Sequence, residues 1–270
     1  MDRKAGALAL VAVLLTILRT PASGVMHAQD PDPLGTGTFS ILGYDPSTGE
    51  LGAAVQSRVF SVGNGVLWGE ADTGIAATQA IVDVSYGPKA LALLRAGLTP
   101  EAIVRALIDS DPDPGYRGQA WPKAGRQFAV MDTKGRYAAY TGPEATKWAG
   151  HKSGQFCTAQ GNILAGEAVV ANMVKNFEET EGPLSLRLVA ALEGGQAEGG
   201  DTRGQQSAAL LIVKKDCGVW LHNDTVLRLQ VDDNPEPIKE LRRLVEKAVE
   251  SSKRARRAAP GCEGVNGGPR

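Results

Sequence analysis

Histidine and cysteine are scarce in this chain, with three of each in 270 residues. His27, His151 and His222 include no pair at ligand spacing, so no metal site is expected. Cys157, Cys217 and Cys262 are an odd number at wide spacing; Cys157 with Cys217 is the candidate bridge in an oxidising compartment. As a nucleophile Cys157 lacks an identifiable histidine partner, and it reads as a half-buried strand cysteine. Excess charge is lacking too: 29 basic and 30 acidic residues leave a formal net charge of −1, which gives no electrostatic footprint for nucleic acid. No apolar run reaches the roughly 20 residues of a membrane span. The apolar run at residues 5–18 follows Asp2-Arg3-Lys4 and precedes small residues ending at Ala28, so residues 1–28 read as a secretory signal peptide. With no cysteine near that cut, no stable membrane anchor is expected, and the protein reads as secreted or periplasmic.

The remainder, 43% hydrophobic and 22% charged over the whole chain, fits one globular domain with tails. Residues 29–37, rich in proline, glycine and aspartate, read as a linker or propeptide. The domain is placed at 38–250, and the run Lys253, Arg254, Arg256, Arg257 with Pro260 makes 251–270 a disordered basic tail.

Alternation and turn residues predict a hairpin from 38–44 and 51–57, strands at 66–69 and 74–80, and a hairpin from 128–131 and 137–140. Further strands are predicted at 155–160, closed by Gly161-Asn162, and at 207–213, 219–222 and 226–231. Helical spacing predicts helices from Tyr86 and from Thr99-Pro100, then over 166–180, 183–193 and 235–250. The succession Gly52, Ala53, Ala54 marks a strand closely approached by another group. Strands grouped in hairpins and helices in consecutive pairs exclude a simple parallel α/β sheet. They fit an α+β fold, with two antiparallel sheets face to face and helices on the outer faces.

Thr38 opens the first strand and admits two readings. It is either the edge of an alternating strand or, if the Gly37-Thr38 bond is cut, a nucleophile whose own α-amine takes the hydroxyl proton. While Gly37 remains attached, that nitrogen is an amide and cannot act as a base.

Several stretches together resemble a known family: Thr38-Phe39-Ser40-Ile41, Gln56-Ser57, Ala77-Thr78-Gln79-Ala80 with Ser85-Tyr86-Gly87, Trp148-Ala149-Gly150-His151, Gln160-Gly161-Asn162 and the run from Gly199 to Ser207. They resemble a bacterial and archaeal family of unknown function placed in the N-terminal-nucleophile hydrolase superfamily. The resemblance implies a four-layer αββα sandwich and attack by Thr38 on an amide-like carbonyl, without metal or organic cofactor. Relatives commonly begin Met-Thr-Phe-Ser, whereas here a leader precedes Thr38, and Gly37-Thr38 offers a bond of the kind that self-cleaving relatives cut. Thr146 stands where relatives often carry a cysteine.

Around Thr38, Asn162 is the candidate oxyanion donor. Asp201 and Arg203, in a glycine-dense loop, are candidates for binding a substrate carboxylate, or for an ion pair that holds the loop. Ser57, Ser207 and Gln79 are candidate supports of the Thr38 amine or hydroxyl, while Trp148 and His151 read as loop anchors. The expected function is a secreted amidohydrolase acting on a small-molecule or peptide amide, with cell-wall peptides as one substrate class. The alternatives are a binding protein that keeps the fold without a free threonine, and a subunit of a homo-oligomer.

Overall fold

The computed structural model describes residues 37–255 and 257–269, so the expected signal peptide and most of the linker lie outside the described residues. The first half of the fold runs β1 (Thr38–Asp45), β2 (Glu50–Ser57), α1 (Gly63–Val66), β3 (Leu67–Glu70), β4 (Gly74–Ala80), α2 (Tyr86–Arg95), α3 (Pro100–Ser110), β5 (Arg126–Asp132) and β6 (Tyr137–Thr141). The second half runs β7 (Trp148–Gly154), β8 (Cys157–Leu164), α4 (Glu167–Glu179), α5 (Leu184–Ala197), β9 (Ser207–Val213), β10 (Thr225–Val231) and α6 (Pro237–Lys253).

The strands form two antiparallel sheets, ordered β10-β9-β2-β1-β8-β7 and β3-β4-β5-β6. Helices α4, α5 and α6 cover the outer face of the first sheet, and α2 and α3 cover that of the second. This is the four-layer αββα sandwich expected. Alternation along each strand explains the layering. Phe39 and Ile41 of β1 point to the helices, where they meet Phe177 and Leu188, while Leu42 points to the other sheet and joins Val55, Ile75 and Leu211. Helix α5 can seat on β2 because β2 is small there: a Cβ on Gly52 would lie 2.6 Å from Leu188 Cδ1. The close approach marked by the small residues is therefore a helix.

Several expectations need correction. Residues 219–222 form no strand; they belong to a turn in which Trp220 and Leu221 are exposed. β8 does not end at Gly161-Asn162, because both residues pair with β1 on one side and β7 on the other. The disulfide joins Cys217 to Cys262, not to Cys157. Cys157 sits in mid-sheet facing the helices, where burial pushes its thiol up to about 12, while Cys217 lies in the β9–β10 connection near the C-terminus. Finally, described residues after α6, expected as a disordered tail, are held to the domain. Asn266 is buried, donates its N–H to Glu50 Oε1 at 3.0 Å and accepts from Ser185 Oγ at 2.7 Å. Composition gave no hint of this, since a disulfide and a few hydrogen bonds, not an apolar stripe, hold them.

Glu50 ties that segment to β2 while fully buried, and desolvation pushes its carboxyl up to about 7 against the hydrogen bonds from Thr48 and Asn266. Because its folded pKa lies above the unfolded one, the associated stability is full below about pH 4.5 and is lost as pH rises to about 7. Glu50→Gln should therefore raise the urea midpoint at pH 8, by about 1–3 kcal/mol in stability, with little effect at pH 4. An identical pH profile in the two proteins would contradict this assignment.

Candidate active site

Thr38 begins β1 in the middle of the first sheet. Register places Asn162 on β8, Thr38, Ser57 on β2 and Ser207 on β9 in one row across four strands, all buried. Residues in one row share a face of the sheet, and this row faces the second sheet. Ser40 and Gln160 form part of the next row inward.

Opposite them, β4 and β5 present Gln79 and Gln127, which are register partners. Gln79 Nε2 donates to the Thr38 carbonyl at 3.1 Å and to Gln127 Oε1 at 2.9 Å, while its Oε1 accepts from Ser40 Oγ at 2.5 Å. Gln127 Nε2 donates to the Gly161 carbonyl at 2.9 Å, and Gln160 Nε2 to Ser40 Oγ at 2.5 Å. Buried amides are costly unless bonded, so this network fixes how the two sheets meet behind Thr38.

In front of the network lies the bond between Gly37 and Thr38. The Thr38 hydroxyl donates to Ser57 Oγ at 3.1 Å, and Ser57 in turn donates to the Gly37 carbonyl oxygen. That oxygen receives a second donor, Arg203 Nη2, at 2.6 Å. The guanidinium is forked against Asp201, Nε to Oδ1 at 3.1 Å and Nη2 to Oδ2 at 2.7 Å. The buried Asp201 carboxylate also accepts the Arg203 and Arg58 backbone N–H groups at 2.9 and 3.3 Å. Gly37 lies tightly against the pair, since a Cβ there would come within 2.9 Å of Arg203 Nε, Arg203 Nη2 and Asp201 Oδ1.

Two backbone positions beside the row are strained. Ile163, after Asn162, has φ of 55° at the bulge where β8 slips against β7, and Ala80, after Gln79, has φ of 66°. Left-handed backbone is rare for a β-branched residue and persists where surrounding bonds over-determine it. Here the Ile163 carbonyl accepts from Thr202 N at 3.0 Å and Thr202 Oγ1 at 3.1 Å, which locks the loop carrying Asp201 to the end of β8.

A cavity of about 170 Å³ opens beside Thr38, lined among others by Val59, Val62, Val66, Val82 and Val84. A larger one, about 620 Å³, lies beyond Val82 and Val84, towards Tyr116 and Trp121, and has no Thr38 in its wall.

Of the residues singled out from sequence, Ser57 meets the Thr38 hydroxyl, Gln79 its carbonyl, and Arg203 the Gly37 carbonyl. Asn162 lies directly across from Thr38 on β8. Ser207 does not reach Thr38. Its Oγ donates to the Val59 carbonyl at 2.5 Å and accepts from Val62 N at 3.1 Å, which holds the segment after β2. Trp148 and His151 lie on strand β7, not in a loop. Sequence reasoning missed Ser40, Gln127 and Gln160 as members of the network; the available signal was a polar residue at an inward strand position, clearest for Ser40 between Phe39 and Ile41.

A model of the family of unknown function DUF1028 matches residues 38–241. The chain belongs to that family. The DUF1028 match begins at Thr38, the residue on which the site is centred. The chain is similar to protein SPO2555 from Silicibacter pomeroyi, a crystal structure of the same family model, at 32% identity and a TM-score of 0.68, over 79% of this chain and 89% of that one. The Anbu protein (ancestral beta-subunit) from Yersinia bercovieri matches at 12% identity and a TM-score of 0.34 over 79% of this chain and 95% of its own, too slight a likeness to argue from. No curated protein matches the chain.

Gln79→Leu strands the Ser40 hydroxyl and the Thr38 carbonyl, so it should cost about 1–3 kcal/mol of stability in urea denaturation. An unchanged midpoint would show that the amide layer does not hold the sheets together.

Proposed function

We propose that this chain is a secreted amide hydrolase of the N-terminal-nucleophile type, in which Thr38 becomes the nucleophile once the Gly37-Thr38 bond is cut. The observation that carries this reading is the treatment of the Gly37 carbonyl. Two donors, one of them a cation, converge on the oxygen of the bond that must break. Donors aimed at an oxygen on which charge develops are a principal means of lowering the barrier to acyl transfer.

In the cleavage step Thr38 Oγ1 attacks the Gly37 carbonyl carbon, and its proton passes by way of Ser57 to the departing Thr38 nitrogen. The C–N bond breaks, an ester forms, and water hydrolyses it to leave a Gly37 carboxylate and a free Thr38 amine. That amine then serves as the base for turnover. It takes the hydroxyl proton as Oγ1 attacks a substrate amide, passes it to the leaving amine, and water releases the acyl group. Asn162, across from Thr38, is the candidate oxyanion donor in turnover, and Asp201 orients Arg203. The Cys217 to Cys262 disulfide supports an oxidising compartment, in keeping with export.

The test is a time course of precursor mass and amide hydrolysis for variants. Thr38→Ala should abolish both without lowering the melting temperature, Thr38→Ser should retain part of each, and Arg203→Met should slow cleavage by about 10²–10³-fold. Wild-type hydrolysis by Thr38→Ala would overturn the mechanism, and wild-type cleavage by Arg203→Met would remove Arg203 from it.

A further inference from the structure

We propose that the acyl part of the substrate ends in a glycyl unit, seated where Gly37 lies in the uncut chain; this rests on the hydrolase reading above. In the cleavage step the Gly37 acyl group becomes an ester on Thr38 Oγ1, and in turnover the substrate acyl group becomes an ester on the same oxygen. Both esters carry the carbonyl that Ser57 Oγ and Arg203 Nη2 address. Donors that fix that oxygen also place the α-carbon behind it. In turnover Thr38 Oγ1 attacks the glycyl carbonyl carbon, its proton passes through the Thr38 α-amine to the leaving nitrogen, and the C–N bond breaks. Water then releases the glycyl carboxylate and restores the hydroxyl.

No room is left at that α-carbon. A Cβ on Gly37 would come 2.9 Å from each of Arg203 Nε, Arg203 Nη2 and Asp201 Oδ1, inside the roughly 3.5–4.0 Å of a comfortable contact. Such a clash is cheap to relieve when the wall is the loose end of a side chain, but this wall is held on every side. The Asp201 side chain is fully buried, and its carboxylate accepts the Arg203 and Arg58 backbone N–H groups at 2.9 and 3.3 Å. Its main chain bridges to Leu164 at the end of β8, and its carbonyl accepts from Gly204 N at 2.9 Å. The guanidinium is forked onto that carboxylate at 3.1 and 2.7 Å, and the Arg203 carbonyl accepts from the Arg58 side chain. Moving the guanidinium aside would break the fork and take Nη2 off the reacting oxygen. A side chain on the acyl α-carbon therefore costs either a clash or a donor. Because Asp201 compensates the charge of Arg203, the pair reads the size of the acyl residue and not its charge.

The processed protein is assayed with N-acetylglycyl, N-acetyl-L-alanyl and N-acetyl-L-valyl p-nitroanilides. The glycyl kcat/KM should exceed the alanyl value by about 10–100-fold, the effect of overpacking a rigid site, with valyl below alanyl. The double variant Asp201→Ala with Arg203→Ala removes both walls and leaves neither charge buried alone, so it should lower the glycyl rate and bring the glycyl-to-alanyl ratio to within about threefold. Equal wild-type rates for glycyl and alanyl, or a double variant that turns over with the wild-type ratio, would overturn the inference while leaving the hydrolase reading intact. If the double variant does not fold, the wild-type ratio decides by itself. If no anilide is turned over by a chain that begins at Thr38, the hydrolase reading fails alone, and calorimetry with N-acetylglycine and N-acetyl-L-alanine reads the seat directly. Binding of N-acetylglycine at least about tenfold tighter supports the glycyl seat; equal or absent binding overturns it.

Discussion

The sandwich depends on a layer of buried amides. Gln79, Gln127 and Gln160, with Ser40 between them, sit where the two sheets face each other, and their donors and acceptors are spread over β1, β4, β5 and β8. A slip of one residue in any of these strands would turn its polar side chain to the wrong face and leave partners unbonded in a dry interior. The network thus specifies register, and register in turn sets Asn162, Thr38 and Ser57 side by side. The inter-sheet space is consequently divided. An apolar end around Leu42, Val55 and Met131 supplies burial, and a polar end around Thr38 supplies position.

Two fully or nearly buried ion pairs show how the same interaction can do different things. Arg126 with Asp111 at 3.0 Å is wrapped by the Tyr86 hydroxyl and by the Ile81 and Trp121 carbonyls, so its bonds hold the start of β5 to the start of α2 and the end of α3. Arg203 with Asp201 at 2.7 Å instead turns one guanidinium nitrogen onto the carbonyl ahead of Thr38. Desolvating a charge pair offsets much of its attraction, so such a pair is weak evidence of stabilisation. A fixed cation on one carbonyl oxygen is better explained by the chemistry of that carbonyl. The strain at Ile163 belongs to the same arrangement, because the bonds that impose it also anchor the Asp201 loop.

Much of this was legible in the sequence, and the limits have physical causes. Hairpins such as β1–β2 and β5–β6 announce themselves because short, mostly apolar runs flank turns that carry glycine, Gly49 and Gly135. β7, by contrast, is an edge strand reading Trp-Ala-Gly-His-Lys-Ser-Gly, with mostly half-exposed side chains and no alternation to detect. Three cysteines allow three pairings, and only the fold shows that Cys157 points away from the other two. At the site, the family resemblance singled out the stretches holding Ser57 and Gln79, the position of Thr38 at the start of a strand made it a candidate, and a glycine-dense loop marked Asp201 and Arg203. The oxygen that Ser57 and Arg203 both address could not be singled out, because a backbone carbonyl leaves no mark in a sequence. Ser207 was indistinguishable from Ser57 until register set it two strands from Thr38.

The most direct measurement is the N-terminal residue, with intact mass, of the protein recovered after export from a native or similar host. The account predicts a chain that begins at Thr38, with the Gly37 carbonyl gone from the grip of Ser57 and Arg203. A stable, exported chain that still carries Gly37 would contradict it, leave the threonine nitrogen an amide, and favour a binding protein built on the same sandwich.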